Sequence, residues 1–259
     1  MLTGHLSEKA FLGTAALLFT GSAAATIALC GAMAGMGGMP IAGGWMLSGA
    51  WMPMCGQSWP GAAAGFLTMW SVMMAAMMLP VLTPTLWRAR QALEWAGEVR
   101  PGRLIAATGA GYFAVWIALG LAVFPLGAAL AALVTQEPAL ARLVPVLSGL
   151  VVMLAGASQF TAWKTRRLAC CREMPAHAVA VSTGTAFRQG LRLGLHCTSC
   201  CAGQTAALLV LGVMDLRAMV LVAAAIALER LSPHGERAAR AVGAVAMGAG
   251  VLMVAQALA

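Results

Sequence analysis

The chain has 259 residues, of which 61% are hydrophobic and only 9% charged, with a formal net charge of +8 and a mean hydropathy of +0.86. Soluble domains carry about 25% charged residues, so this composition excludes one and points to an all-α, polytopic transmembrane bundle whose first partner is the lipid bilayer. A nucleic-acid partner is not needed to explain the positive charge, because the basic residues fall in short segments between apolar runs.

The first apolar run covers about residues 10–32, too long for a signal-peptide core. Leu29 stands before Cys30 where a lipoprotein cleavage box has a small residue, so the run reads as a retained helix. Residues 33–61 follow as a long, uncharged, Gly/Met-rich loop with Met33, Met36, Met39, Met46, Met52, Met54 and Cys55. Thioether sulfur is a soft ligand that selects Cu(I) over hard cations, although methionine also fills gaps against lipid and neighbouring helices. The second span, about 63–82, repeats Met69, Met73 and Met77 every four residues, with Met74 and Met78 in the adjacent row. Pro80 and Pro84 predict a kink or the helix end.

A basic loop with Arg88, Arg90, Arg100 and Arg103 leads to a third span, about 104–134, long enough to imply tilt or a break near Pro125. A fourth occupies about 143–163. Residues 164–192 form the longest basic loop and carry Cys170, Cys171 and His177. The fifth span, about 193–213, opens with His196, Cys197, Cys200 and Cys201, four metal-ligand side chains in six residues. A sixth, about 218–228, is marginal in length, and a seventh, about 238–258, is rich in small residues. Seven spans are expected, with six as the alternative. With the amino terminus inside, 14 of the 16 Lys and Arg fall on the inner side, the bias expected of cytoplasmic loops in a bacterial inner-membrane protein. The Gly/Met-rich loop then faces outward and the 164–192 loop inward.

Cys197, Cys200 and Cys201 stand at i, i+3 and i+4, so a helix projects all three thiols from one face, with His196 about 100° away at its edge. Cys197 and Cys200 form a C-x-x-C pair, the spacing that lets two thiolates hold one ion or close one disulfide. Met77 and Met78 lie about 6–8 Å from the inner end of their span, and Cys197 to Cys201 about 6–12 Å from the inner end of theirs. If those spans touch, a methionine stripe leads from an outer loop to an inner cysteine site, a series suited to Cu(I), with zinc as the alternative ion.

These residues carry a resemblance. Trp70, Met73, Ala76, Met77, Met78, Leu79 and Pro80 match W-x-x-M-x-x-A-M-M-L-P; Lys164, Leu168, Cys171 and Arg172 match K-x-x-C-L-x-x-C-R; Cys197, Cys200 and Cys201 match C-x-G-C-C. The chain resembles a bacterial family of predicted metal-binding integral membrane proteins of unknown function, over about residues 63–230. It departs from the pattern where Arg167 replaces the first loop cysteine and Ser199 replaces glycine. The resemblance implies metal binding without naming the metal. The expected role is soft-metal binding with transport or delivery during metalloprotein assembly, through Met69, Met73, Met77 and Met78 and an inner site of His196, Cys197, Cys200 and Cys201, with Cys170 or Cys171 as a mobile ligand. A metallochaperone or a metalloenzyme under assembly is the partner this role implies. The enzymatic alternative is a thiol-disulfide oxidoreductase using Cys197 and Cys200, and the third is an assembly subunit whose cysteines only pack. There is no G-x-x-x-x-G-K-[ST] loop to drive transport by nucleotide hydrolysis.

Overall fold

The computed structural model describes residues 2–34, 39–41, 45–47, 51–53, 56–172 and 182–258. Among them are eight helices: α1 (Leu2–Ala34), α2 (Trp59–Trp95), α3 (Pro101–Gln136), α4 (Pro138–Ser158), α5 (Ala162–Arg172), α6 (Thr183–Gly212), α7 (Leu216–Leu231) and α8 (Gly235–Leu258). Six of them, all but α5 and α7, are long and apolar enough to cross a membrane. The expected count of seven spans, with six as the alternative, turns on α7, the marginal one. The 16 residues of α7 reach about 24 Å, short of the roughly 30 Å of a hydrocarbon layer.

Other boundaries also move. α2 runs on through Pro80 and Pro84 to Trp95, and α3 is unbroken at Pro125, because the flanking turns of a long, packed helix absorb one missing hydrogen bond. α2 is capped by Ser58, whose hydroxyl accepts from Gly61 N, and it ends before Gly97, which holds a positive φ of 78°. The segment expected as the basic loop 164–192 is helical at both ends, in α5 and the first turns of α6, where Ser182 and Thr185 form a reciprocal capping box. His177 lies outside the described residues. In the Gly/Met-rich stretch, β1 (Met39–Ile41) pairs antiparallel with β2 (Trp45–Leu47), while Met36, Met54 and Cys55 lie outside the described residues.

The bundle is assembled on close backbone approaches. α3 and α6 run parallel, with Gly111 facing Phe187 and Leu191 and Gly194 facing Tyr112 and Val115; a Cβ at Gly190 would overlap Thr108 O. α4 and α8 run antiparallel. Cβ atoms built on Gly243 and Gly250 would come to 2.8 Å of Gly156 O and 2.7 Å of Gly149 O. Small residues allow this where lipid offers no hydrophobic drive between helices. Trp70 on α2 donates its indole N–H to Trp116 O on α3 at 2.8 Å. Gly120 makes room for that ring, since a Cβ there would sit 2.5 Å from Trp70 Cδ1. Large apolar side chains such as Leu17, Leu126, Leu154, Val220 and Val245 point outward, as a lipid-facing surface requires.

Gly190→Ala should therefore cost about 1–3 kcal/mol or more through overpacking against α3. Gly109→Ala, at a helical position with open space around it, should be neutral or stabilising by up to about 1 kcal/mol. Thermal unfolding of the two variants in detergent, followed by tryptophan fluorescence, checks the difference.

Candidate metal centre

Cys197, Cys200 and Cys201 face the interior from α6 and Cys171 reaches them from α5; their exposures are 0%, 3%, 1% and 3%. The four thiols are neighbours in one buried cluster, Cys171 beside Cys200, Cys200 beside Cys201, and Cys201 beside Cys197. Hydrogen bonding to Cys200, together with burial, pushes the Cys171 thiol up. Its Sγ also lies 3.5 Å from His196 O. All four cysteines are free of disulfides. Ser199, where the resemblance expects glycine, turns its hydroxyl back to His196 O at 2.8 Å.

Around the sulfurs stand groups that the sequence reading did not assign to the site. Tyr112, the single tyrosine of the chain, donates its hydroxyl to Cys197 Sγ at 3.0 Å. Arg230, near the end of α7, donates Nη1 to the same sulfur at 3.2 Å. Lys164 and Glu229 form a buried ion pair of 2.7 Å with side-chain exposures of 3% and 2%. Lys164 Nζ also donates to Cys200 O at 2.8 Å, and Glu229 accepts from Gln204 Nε2 at 2.6 Å. With its nitrogen committed to the carboxylate, Gln204 leaves Oε1 as a buried acceptor without a hydrogen-bond partner among the described residues. Ionisable residues inside apolar segments were the available signal for Lys164, Glu229 and Arg230. Nothing local marks Tyr112, 85 residues from the sulfur it meets.

Cys170 and His196 are set apart from this interior. Cys170 is exposed, and its Sγ lies 4.0 Å from His196 Nδ1. Arg167 Nη1 is 3.5 Å from the same nitrogen. Arg167, standing where the resemblance expects a cysteine, thus shares a helix face with Cys170.

The four predicted methionines are deeply buried, Met69, Met73 and Met78 at 0% and Met77 at 6%, in one contiguous core with Cys171, Cys197, Cys200 and Cys201. α2 and α6 nonetheless have different principal neighbours: α2 packs on α1, α3 and α7, and α6 on α3, α4, α5 and α7. Both helices start or end farther out than expected. Met77 and Met78 lie about 26 Å from the end of α2, and the α6 cysteines about 21–27 Å from the start of α6, similar distances along the two helices.

Residues 67–253 match the family model described as PpoB2, copper chaperone. The chain belongs to this copper chaperone family. No curated protein and no solved structure matches the chain. Family membership places the protein among those that handle copper. The donor set suits that ion, since four thiols and nearby thioethers are soft ligands, and Glu229 is held by Lys164. Among the described residues no group of three or more His, Cys, Asp or Glu side chains is already spaced to hold a metal ion. The thiols are arranged in series, and a two-coordinate ion needs only a neighbouring pair.

Breaking the ion pair from one side leaves a buried charge, so Lys164→Met should destabilise by about 3–5 kcal/mol. Replacing both partners, Lys164→Met with Glu229→Leu, should recover most of that loss. Melting temperatures of the single and double variants in detergent give the comparison, and equal losses would show that the pair does not act as a unit.

Proposed function

We propose that this copper chaperone family member binds Cu(I) at Cys171, Cys197, Cys200 and Cys201 and passes it across the membrane or to a metalloprotein under assembly. The observation that carries this reading is the contiguous set of four buried thiols, drawn from two helices and contacted by a half-buried guanidinium. Thiolates in a low-dielectric interior are costly alone and favourable once cations neutralise them. Arg230 and Tyr112 supply hydrogen bonds to Cys197, and the arriving ion supplies charge to the rest. Copper here is cargo. A two-coordinate Cu(I) ion can step along the series by exchanging one sulfur for the next, with no change of oxidation state.

The methionines Met69, Met73, Met77 and Met78 extend soft donors along α2, from the Gly/Met-rich segment toward the level of the thiols, and serve in this proposal as the transmembrane path. The excess of Lys and Arg on one side supports an inner-membrane protein with its amino terminus inside. The delivering or receiving partner is then a metallochaperone or a metalloenzyme under assembly.

Metal analysis of anaerobically purified protein tests this. Stoichiometric copper(I) should bind the wild type and be lost from the Cys197→Ser, Cys200→Ser, Cys201→Ser variant. Protein that stays metal-free and cycles between two and zero free thiols would instead be a thiol-disulfide oxidoreductase, and preferential zinc uptake would replace the cargo. Arg230→Leu should weaken Cu(I) binding about tenfold or more, because a hydrogen bond to a charged group contributes roughly 1.5–3 kcal/mol. Tyr112→Phe should cost less. Competition with a chromophoric Cu(I) chelator measures both.

A further inference from the structure

Four thiols that are 0–3% exposed bind an ion only if something hands it inward. Beside them stands a second pair of soft donors with the opposite exposure. Cys170 is exposed on α5, His196 is half-buried on α6, and Cys170 Sγ and His196 Nδ1 lie 4.0 Å apart across the α5–α6 contact. Each precedes a member of the buried series, Cys170 before Cys171 and His196 before Cys197. One residue turns a helix by about 100°, so on both helices the outer donor and the inner donor are adjacent but face different media. Arg167 stands over the Trp163 ring at 5.5 Å with its Nη1 3.5 Å from His196 Nδ1.

We propose that Cys170 and His196 form a surface docking port that takes Cu(I) from an anionic thiolate complex and relays it to Cys171 and the buried series. This rests on the copper reading above and adds to it the chemical form of the cargo. A guanidinium at the port disfavours a free cation and attracts a copper ion already wrapped by two thiolates, which carries one net negative charge. In the exchange, Cys170 sulfur forms a bond to copper as one carrier sulfur leaves. The proton lost by Cys170 goes to the departing thiolate. His196 Nδ1 then displaces the second carrier sulfur, which departs with Arg167 and solvent at hand to stabilise its charge. Copper remains Cu(I) throughout. Cys171 next replaces His196, its thiol proton passing to the freed imidazole nitrogen, and the ion has moved from an exposed to a buried sulfur by steps of one ligand each.

The test is stopped-flow loading of full-length apo protein in detergent with Cu(I)–glutathione, followed by thiolate-to-copper charge-transfer absorbance, with the bound copper counted at equilibrium. Cys170→Ser and His196→Gln should each load at least tenfold more slowly while reaching the wild-type copper content. Arg167→Gln should slow loading from Cu(I)–glutathione but not from the cationic Cu(I)–acetonitrile complex. Wild-type loading rates in both Cys170→Ser and His196→Gln would overturn the port, as would a matching loss of final copper content, which would make the pair part of the storage set. An Arg167→Gln variant slowed equally with both complexes would overturn the charge selection. If the wild type takes up no copper from either complex, the functional reading itself fails, a result distinct from normal content reached at an unaltered rate.

Discussion

The ion pair between Lys164 and Glu229 is the constraint on which the centre depends. Each ion alone would lose several kcal/mol on leaving water, so α5 and α7 are acceptable in the interior only when they arrive together. Their remaining hydrogen-bonding capacity is met on α6, by Cys200 O and Gln204 Nε2. Three helices are thereby fixed to one another. On α5, Lys164, Leu168 and Cys171 stand at i, i+4 and i+7 and are all 3% exposed or less, so seating Lys164 against Glu229 also delivers Cys171 to Cys200. On α7 the residue after Glu229 is Arg230, which the same docking brings to Cys197.

A second framework carries α3 and the methionine helix to the same centre. The glycines of α3 and α6 bring two backbones into contact, and Tyr112 lies within that seam, between Gly111 on its own helix and the facing Gly190 and Gly194. Its hydroxyl reaches Cys197 because α3 cannot retreat. Trp70 joins α2 to α3 through Trp116 O, and Phe66 stands between Trp51, Trp70 and Phe124 at centroid distances of 5.2–5.8 Å. The methionines one to two turns beyond Trp70 are thus held inside the bundle, although α2 does not take α6 as a principal neighbour.

Much of this was legible in local pattern. Apolar runs gave the membrane class and most helices, and the i, i+3, i+4 spacing of Cys197, Cys200 and Cys201 correctly placed three thiols on one face. What was illegible depended on tertiary contact. Pro80, Pro84 and Pro125 argue for breaks when read locally, yet long packed helices carry them. The polar character of residues 164–172 reads as a loop because the three residues that make α5 a packed helix include a lysine, and a buried lysine is recognisable only with Glu229 opposite. Cys170 and Cys171 look equivalent in sequence. The helix separates them, turning one toward solvent and the other toward Cys200. The proposed roles of the methionines and of the port pair rest on chemistry that the folded chain makes compatible, and their occupancy is a matter for metal measurement.

The charge distribution bears on which ion the centre suits. Lys164 is paired with Glu229, and among the described residues Arg230, with its Nη1 3.2 Å from Cys197 Sγ, is the cation in direct contact with a buried sulfur. A Cu(I) ion held by two thiolates carries one net negative charge, and a Zn(II) ion held by four carries two. In a low-dielectric interior an uncompensated charge costs far more than in water, so one guanidinium balances the first complex and leaves the second a charge short. The same balance gives Glu229 its place in the proposed mechanism. Its carboxylate would be a hard ligand if free, and by holding Lys164 it both withdraws from the donor set and sets the residual charge that an anionic sulfur–copper complex requires.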